Sequence, residues 1–255
     1  MATIVSVHSF RGGTGKSNTT ANLSAILAAR GLRVAVIDAD IQSPGIHVLF
    51  GLAGETGHAS LNDFLWNDRP IQDVAIDVTD RVGGLDGGSL FLIPSSMEPG
   101  EITRVLREGY DAQRLTQGLR DLVDQLSLDV LFIDTHPGLN EETLLSLVIS
   151  DTLIIVMRPD RQDFEGTGIT ARVARELEVP QIWIVVNKTP TDFDRQEVLE
   201  RVRAAYDCEV AAVLPHSDGL MRLGSEGIFS LRNPDDELTD MYRVLADRIV
   251  PRPAP

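Results

Sequence analysis

The chain has 255 residues, of which 43% are hydrophobic, and a formal net charge of -15. This length suits one α/β domain, which we expect to span residues 1–250, with residues 251–255 as a short proline-rich tail. The acidic charge argues against a generally basic nucleic-acid-binding protein but leaves room for a local basic patch. Cys208 is the only cysteine, so one chain cannot form a disulfide or a cysteine cluster for a metal. We find no apolar leader and no apolar run near the ~18 residues of a membrane helix, which predicts a cytoplasmic protein.

A glycine-rich loop, residues 9–17, follows the first predicted strand. Residues 4–7 form a mainly apolar run, and residues 18–30 carry leucine and isoleucine at helical spacing, so the loop connects a strand to a helix. In such a loop, backbone N–H groups can turn around a phosphate, and the helix N-terminus adds partial positive charge. Lys16 can reach the β- and γ-phosphates, and the Ser17 hydroxyl can ligate Mg²⁺. The alternative is an ordinary glycine-rich turn, which the position after the first strand disfavours.

The loop departs from the standard phosphate-binding pattern. Phe10 stands where that pattern has glycine, and Arg11 directly precedes the Gly12-Gly13 pair. A basic residue followed by Gly-Gly-x-Gly-Lys-Ser resembles the deviant Walker A motif of the MinD/ParA family of ATPases. The resemblance implies that Arg11, which matches a family lysine, crosses a dimer interface to the partner's nucleotide, although its guanidinium is a planar fork and not a compact ammonium. It also implies that ATP is bound by Gly12, Gly13, Thr14, Gly15, Lys16, Ser17 and Asn18.

Two further predicted strands end in carboxylates. Residues 33–37 lead to Asp38 and Asp40, and residues 129–133 lead to Asp134. Carboxylates at the C-terminal ends of parallel strands lie at the crevice where α/β proteins bind ligands. Two acids one residue apart would face opposite ways if the strand continued to Asp40, so we expect different tasks for them. The alternative is a solvated strand end with helix-capping acids.

In the MinD/ParA resemblance, these segments match two nucleotide-sensing switches. Asp38 would lie near Mg²⁺, together with Ser17, and Asp134 would reach the metal through water. Asp40 would orient or activate the attacking water. The Pro-Gly turn after Asp134 could respond to the γ-phosphate, and we expect His136 in it to be a polar loop residue, not a general base.

The segments expected around the nucleotide base favour adenine. Residues 181–186 predict a strand leading to Asn187, and position 190 is proline where a guanine-specific site would have an aspartate. The resemblance implies that Asn187 contacts adenine and that residues 215–218, with Pro215 and Asp218, form another part of the base pocket. An ordinary turn is the alternative at each place.

The rest of the chain alternates between the two kinds of element, which predicts a doubly wound, mostly parallel sheet of about seven or eight strands flanked by helices. The resemblance makes this a P-loop NTPase of the deviant Walker A type, with a single nucleotide-binding α/β domain. Residues 51–89 show little regularity, apart from one short helix, and we assign them no chemistry. Further strands are predicted at residues 90–93, 152–157 and 209–214, and helices at residues 61–65, 115–126, 166–178 and 236–250.

The resemblance implies a slow ATPase that converts ATP and water to ADP and phosphate and forms an ATP-dependent homodimer. An adaptor or activator protein would stimulate it, and the cargo would be DNA, a plasmid, an organelle-like body such as a carboxysome, or a protein complex. One form would associate with the nucleoid by nonspecific DNA binding, and another would be a regulator acting through a membrane-associated partner. Taken alone, the arginines that could bind DNA also suit a solvated helix face. They are Arg195, Arg201, Arg203, Arg222 and Arg232.

Two further possibilities follow from the same superfamily. A metabolic ligase would need a substrate pocket beside the γ-phosphate, built from residues 51–110, and we see no cluster of catalytic groups there. An iron–sulfur carrier would need paired cysteines, so the single Cys208 argues against it.

The last predicted helix has apolar residues at helical spacing, but acidic residues surround them and anionic lipid would repel that face. We therefore expect the helix to dock onto the core and not to bind a membrane directly. The apolar positions are Leu238, Met241, Tyr242, Leu245 and Ile249.

Overall fold

The computed structural model describes residues 2–55 and 57–252, without the side chains at 141 and 142. In this part of the chain the strands are β1 (Thr3–His8), β2 (Arg33–Ala39), β3 (Ile76–Asp77), β4 (Ser89–Ile93), β5 (Val130–Thr135), β6 (Thr152–Met157), β7 (Gln181–Thr189) and β8 (Glu209–Pro215). The helices are α1 (Lys16–Ala28), α2 (Leu61–Trp66), α3 (Thr79–Val82), α4 (Pro99–Glu108), α5 (Ala112–Gln125), α6 (Glu141–Val148), α7 (Arg161–Glu176), α8 (Arg195–Tyr206), α9 (Asp218–Leu223), α10 (Phe229–Arg232) and α11 (Glu237–Ile249).

The strands form one eight-stranded sheet in the order β3-β4-β2-β5-β1-β6-β7-β8. Every neighbouring pair is parallel except β3 with β4, which is antiparallel. The predicted doubly wound, mostly parallel sheet is therefore confirmed.

Both faces of the sheet are covered, which explains why its central strands are largely apolar. Along β2, Val34 and Val36 belong to a core cluster with α1 and α11, whereas Ala35 and Ile37 belong to a second cluster with α2 and α5. This alternation is the two-residue period of a strand. A third cluster joins β6 and β7 to α7 and α8.

The helix α11 packs onto the core, as expected. Its residues Leu238, Tyr242 and Leu245 are buried in the same cluster as α1. Among the helices of the described residues, none is long and apolar enough to cross a membrane. The proposed tail, residues 251–255, lies partly outside the described residues.

Some boundaries differ from the prediction. Helix α7 begins at Arg161, five residues before the predicted start at 166, because the Asp160 side chain caps it by accepting from the N–H groups of Gln162 and Asp163. Strand β7 continues through Asn187 to Thr189, since β8 still pairs with it there. Residues 51–89 contain α2, β3 and α3, and the amphipathic helix α4 follows β4.

The topology brings the predicted functional segments to one edge of the sheet. Strand β5 lies between β1 and β2, and Asp134 of β5 is in register with both Val7 and Asp38. The connection from β1 leads to β2, on one side of β1 in the sheet. The connection from β5 leads to β6, on the other side of β1. The loop after β1 therefore lies at the reversal of strand order, outside the carboxyl ends, where open α/β sheets bind ligands.

Candidate functional site

The loop between β1 and α1 has the shape of an anion cradle. Gly13 and Gly15 have backbone φ angles of 80° and 97°, which residues with a Cβ atom rarely adopt. A methyl group at Gly15 would also overlap the amide of Asn187. No side chain caps the start of α1 at this glycine, and the buried Thr14 hydroxyl has no hydrogen-bond partner in the described part of the chain. These features fit a bound phosphate chain.

Lys16 joins the loop to the strand end that carries Asp134. Its Nζ donates to Asp134 Oδ1 at 2.8 Å, and both side chains are buried. The hydroxyl of Thr20, one turn further along α1, lies 3.3 Å from the same oxygen. A lysine in this place can exchange its carboxylate partner for phosphate oxygens.

The neighbouring Asp38 is fully buried beside Asp134, so its ionisation would give the site an excess of buried negative charge. Burial first, and then the charge of Asp134, raise the pKa of Asp38 to about 8 against the opposing effect of Lys16. Two carboxylates with one ammonium are a donor set that suits a divalent cation. In the described residues, no group of three or more His, Cys, Asp or Glu side chains is arranged to hold a metal. Mg²⁺ would need phosphate oxygens, water and the hydroxyl of Ser17, in the first turn of α1, to complete its shell.

Asp40 lies just beyond β2, in the turn that follows it. Its N–H donates to Asp38 Oδ1 at 3.1 Å, and its own Oδ1 accepts from the Ser43 N–H at 3.2 Å. The same Oδ1 lies 2.6 Å from Nδ1 of His136. Because the strand ends at Ala39, this turn, and not the alternation of a strand, separates the two carboxylates.

Arg11 and Phe10 both contact the start of α7. Arg11 Nη1 lies 3.5 Å from Asp163 Oδ1 and 3.8 Å from Asp160 Oδ1. The Phe10 ring packs on Gly166, where a methyl group would overlap it. The phenylalanine in place of the usual loop glycine is thus accommodated by a glycine on the neighbouring helix.

The segments expected to bind the base lie at the same edge of the sheet. Asn187 is buried, and its Nδ2 donates to the Thr14 carbonyl at 2.9 Å. Pro215 ends β8 in register with Thr189, and Asp218 begins α9 with its side chain exposed. The structure therefore couples Asn187 to the phosphate loop, which sequence reasoning did not anticipate.

Two more residues of the site, Lys188 and His8, were not assigned to it from the sequence. Lys188 Nζ donates to the Gly13 carbonyl at 2.8 Å, and it and Lys16 are the only lysines of the chain. His8 is buried, and its Nδ1 lies 2.7 Å from Thr135 Oγ1. Burial, with the charges of Lys16 and His136, lowers the pKa of His8 to about 3, so this imidazole is neutral. The scarcity of lysine was a usable signal, whereas His8 and His136 carried none.

Known proteins give an independent comparison. A model of the AAA domain family matches residues 2–179. The flagellum site-determining protein YlxH of Helicobacter pylori is 31% identical over 221 residues, which cover 87% of this chain and 70% of that protein. An ATP-binding protein of Methanocaldococcus jannaschii is 25% identical over 251 residues, 98% of this chain and 88% of that protein. An iron–sulfur cluster carrier protein of Pseudomonas fragi is 28% identical over 255 residues, 95% and 83% of the two chains.

Solved structures share the fold. The septum site-determining protein MinD of Pyrococcus horikoshii, complexed with Mg-ADP, has a TM-score of 0.80 and 21% identity, covering 98% of this chain and 96% of that one. MinD of Aquifex aeolicus, solved as a MinC:MinD complex, has a TM-score of 0.80 and 16% identity, covering 100% and 98%. The family match, the similarity to YlxH and the deviant phosphate loop lead to one conclusion: the chain belongs to the AAA domain family, as a member of the MinD/ParA group of P-loop ATPases.

Proposed function

We propose that this protein is an ATP-binding and ATP-hydrolysing dimerisation switch that positions an intracellular cargo. The observation that carries the proposal is the Lys16–Asp134 ion pair at 2.8 Å, beside the buried Asp38. It links the phosphate loop directly to the end of β5, which leads into the second switch segment, and Asp38 at the end of β2 is in register with Asp134. A phosphate that draws Lys16 away from Asp134 changes the electrostatic balance of both segments at once.

In this scheme the backbone N–H groups of residues 12–17 wrap the triphosphate, and Lys16 moves to the β- and γ-phosphates. Ser17, Asp38 and Asp134 would hold Mg²⁺, with Asp134 reaching it through water. The bound ion would neutralise charge on the phosphate oxygens. Asp40 orients the water that attacks the γ-phosphorus, and ADP and phosphate leave.

Adenine would lie between Asn187 and the segment 215–218. The contact of Asn187 with the Thr14 carbonyl supports this arrangement, because it fixes the end of β7 against the phosphate loop. Arg11 reaches the nucleotide of a second copy of the chain, for which it leaves Asp160 and Asp163. A MinD structure with MinC supports the expectation that an adaptor or activator acts on the dimer.

In this proposal the ATP-bound dimer holds a surface inside the cell. Nonspecific nucleoid DNA is one candidate, but Arg195 forms an ion pair with Glu237 at 2.8 Å and Arg201 stacks over the Phe164 ring at 4.8 Å. Part of the expected basic patch is thus engaged within the chain. Binding of random duplex DNA, titrated with salt in the presence of ATP or ADP, tests this candidate because electrostatic binding weakens steeply with salt. ATP-dependent, salt-sensitive binding supports the nucleoid, and its absence favours a regulator that acts through a membrane-associated partner.

The switch itself is tested by the molar mass of the protein in solution with Mg-ATP and with Mg-ADP, together with phosphate release. For the parent protein we expect a dimer only with Mg-ATP and slow basal hydrolysis. For Lys16→Ala we expect no dimer and no hydrolysis. Constant mass in both nucleotides would contradict the proposal. Turnover that requires a small-molecule acceptor would indicate a ligase instead. The iron–sulfur role named for some relatives does not suit this chain, because two copies of Cys208 supply too few thiolates for a four-cysteine cluster.

A further inference from the structure

His136 in the second switch segment contacts the acid proposed to orient water in the first. Its Nδ1 lies 2.6 Å from Asp40 Oδ1, and the two side chains are only 23% and 14% exposed. A carboxylate oxygen can only accept, so Nδ1 is the protonated nitrogen of the ring. The contact joins positions 96 residues apart in the chain.

Each partner of this contact is held by its own segment. The Asp40 N–H donates to Asp38, and Ser43 donates to Asp40 Oδ1, so the turn after β2 fixes the carboxylate from one side. The His136 carbonyl accepts from the hydroxyl of Thr143 at 3.3 Å, and Thr143 is buried in the first turn of α6. The histidine therefore reaches Asp40 from a loop that Thr143 supports, and it contacts the same Oδ1 as Ser43.

Both hydrogen bonds to the Asp40 carboxylate use Oδ1. Among the described groups, which exclude the side chains at 141 and 142, none donates a hydrogen bond to Oδ2. A carboxylate with one oxygen fixed by two donors and the other open has the geometry needed to bind and orient a water molecule.

We propose that His136 is a positioning residue that orients the Asp40 carboxylate for water attack on the γ-phosphate and couples the two switch segments. The inference rests on the proposed role of Asp40. The imidazole neither takes nor gives a proton in this step, and Nδ1–H holds Oδ1 while Oδ2 binds the water. A movement of the loop after Asp134 moves the carboxylate with it, so hydrolysis depends on both switches being in place.

The test compares His136→Asn with His136→Gln. The amide nitrogen of asparagine can occupy the place of Nδ1, whereas that of glutamine corresponds to Nε2 and cannot reach Oδ1 without moving the backbone. ATP affinity, measured with a fluorescent ATP analogue, should stay within about 2-fold of the parent in both variants. The kcat for basal hydrolysis should fall about 10-fold in His136→Gln and be largely retained in His136→Asn, as expected when an outer contact orients a reacting group. His136→Ala should resemble His136→Gln.

Several results would overturn the inference. They are an unchanged or raised kcat in His136→Gln, equal rates for the asparagine and glutamine variants, or a loss of ATP affinity as large as the loss of kcat. Asp40→Ala separates this failure from failure of the proposed function. If Asp40→Ala alone hydrolyses ATP normally, the role of Asp40 is wrong and the inference falls with it. If Asp40→Ala is slow, adding His136→Gln should slow it no further, and an additive loss would show that His136 acts elsewhere.

Discussion

The protonation state of Asp38 controls the net charge of the site. Asp38 is a fully buried carboxyl group next to a second carboxylate, and burial is the first cause that raises its pKa to about 8. The folded protein without nucleotide therefore keeps a proton on Asp38 at neutral pH. Binding of a cation and release of that proton are coupled at this position.

This coupling predicts a pH dependence of stability. Between the ordinary pKa of 3.8 and about 8, the folded chain holds a proton on Asp38 that the unfolded chain has released. The contribution of Asp38 to the free energy of unfolding therefore falls as pH rises through that window, by at most about 1.4 kcal/mol per pH unit, and is constant above it. Asp38→Asn has no such proton to lose.

The measurement is urea unfolding of both proteins without nucleotide at about pH 5 and about pH 8. The free energy of unfolding of Asp38→Asn, minus that of the parent, should increase with pH. A difference that stays constant between the two pH values would show that Asp38 is already ionised in the fold.

At the scale of elements, α7 and the phosphate loop are one packed unit. Gly166→Ala places a methyl group against the Phe10 ring, and we expect it to lower the free energy of unfolding by about 1–3 kcal/mol and to weaken ATP binding. Phe10→Ala removes the obstacle, so the double variant should be less impaired than Gly166→Ala. Losses that simply add in the double variant would mean that the two positions do not interact.

Helix α11 should act as a structural part of the core. Leu245 is fully buried, whereas the adjacent Val244 is 60% exposed. We expect Leu245→Ala to lower the free energy of unfolding by about 2–5 kcal/mol and the control Val244→Ala to change it by less than about 0.5 kcal/mol. Chemical unfolding measures both, and equal effects would show that α11 does not dock as described.

The sequence predicted most elements because their patterns are local. The apolar strands, the glycine-rich loop and the acids at strand ends are each readable within about ten residues. The start of α7 was placed late because its first turn is polar and depends on the Asp160 cap. The contact of His136 with Asp40 was unreadable, because it depends on the pairing that puts Asp38 beside Asp134.

For the whole molecule, the position of Arg11 makes a prediction about assembly. Its guanidinium lies within ion-pair distance of Asp160 and Asp163, so it is already held near the edge of the site. Arg11→Ala should bind ATP as a monomer but lose ATP-driven dimerisation. Arg161→Ala is the matched control, since that side chain is 93% exposed. Light scattering measures the dimer, and equal dimerisation of the Arg11→Ala protein and the parent would assign the cross-subunit contact to another basic residue.

The most direct test of the switch is the molar mass of Asp40→Ala over time after Mg-ATP is added. Because the variant lacks the acid that orients water, we predict a dimer that persists after the parent protein in a parallel sample has hydrolysed its ATP and returned to monomer. An Asp40→Ala protein that binds ATP but stays monomeric, or that returns to monomer as fast as the parent, would contradict an ATP-dependent dimerisation switch.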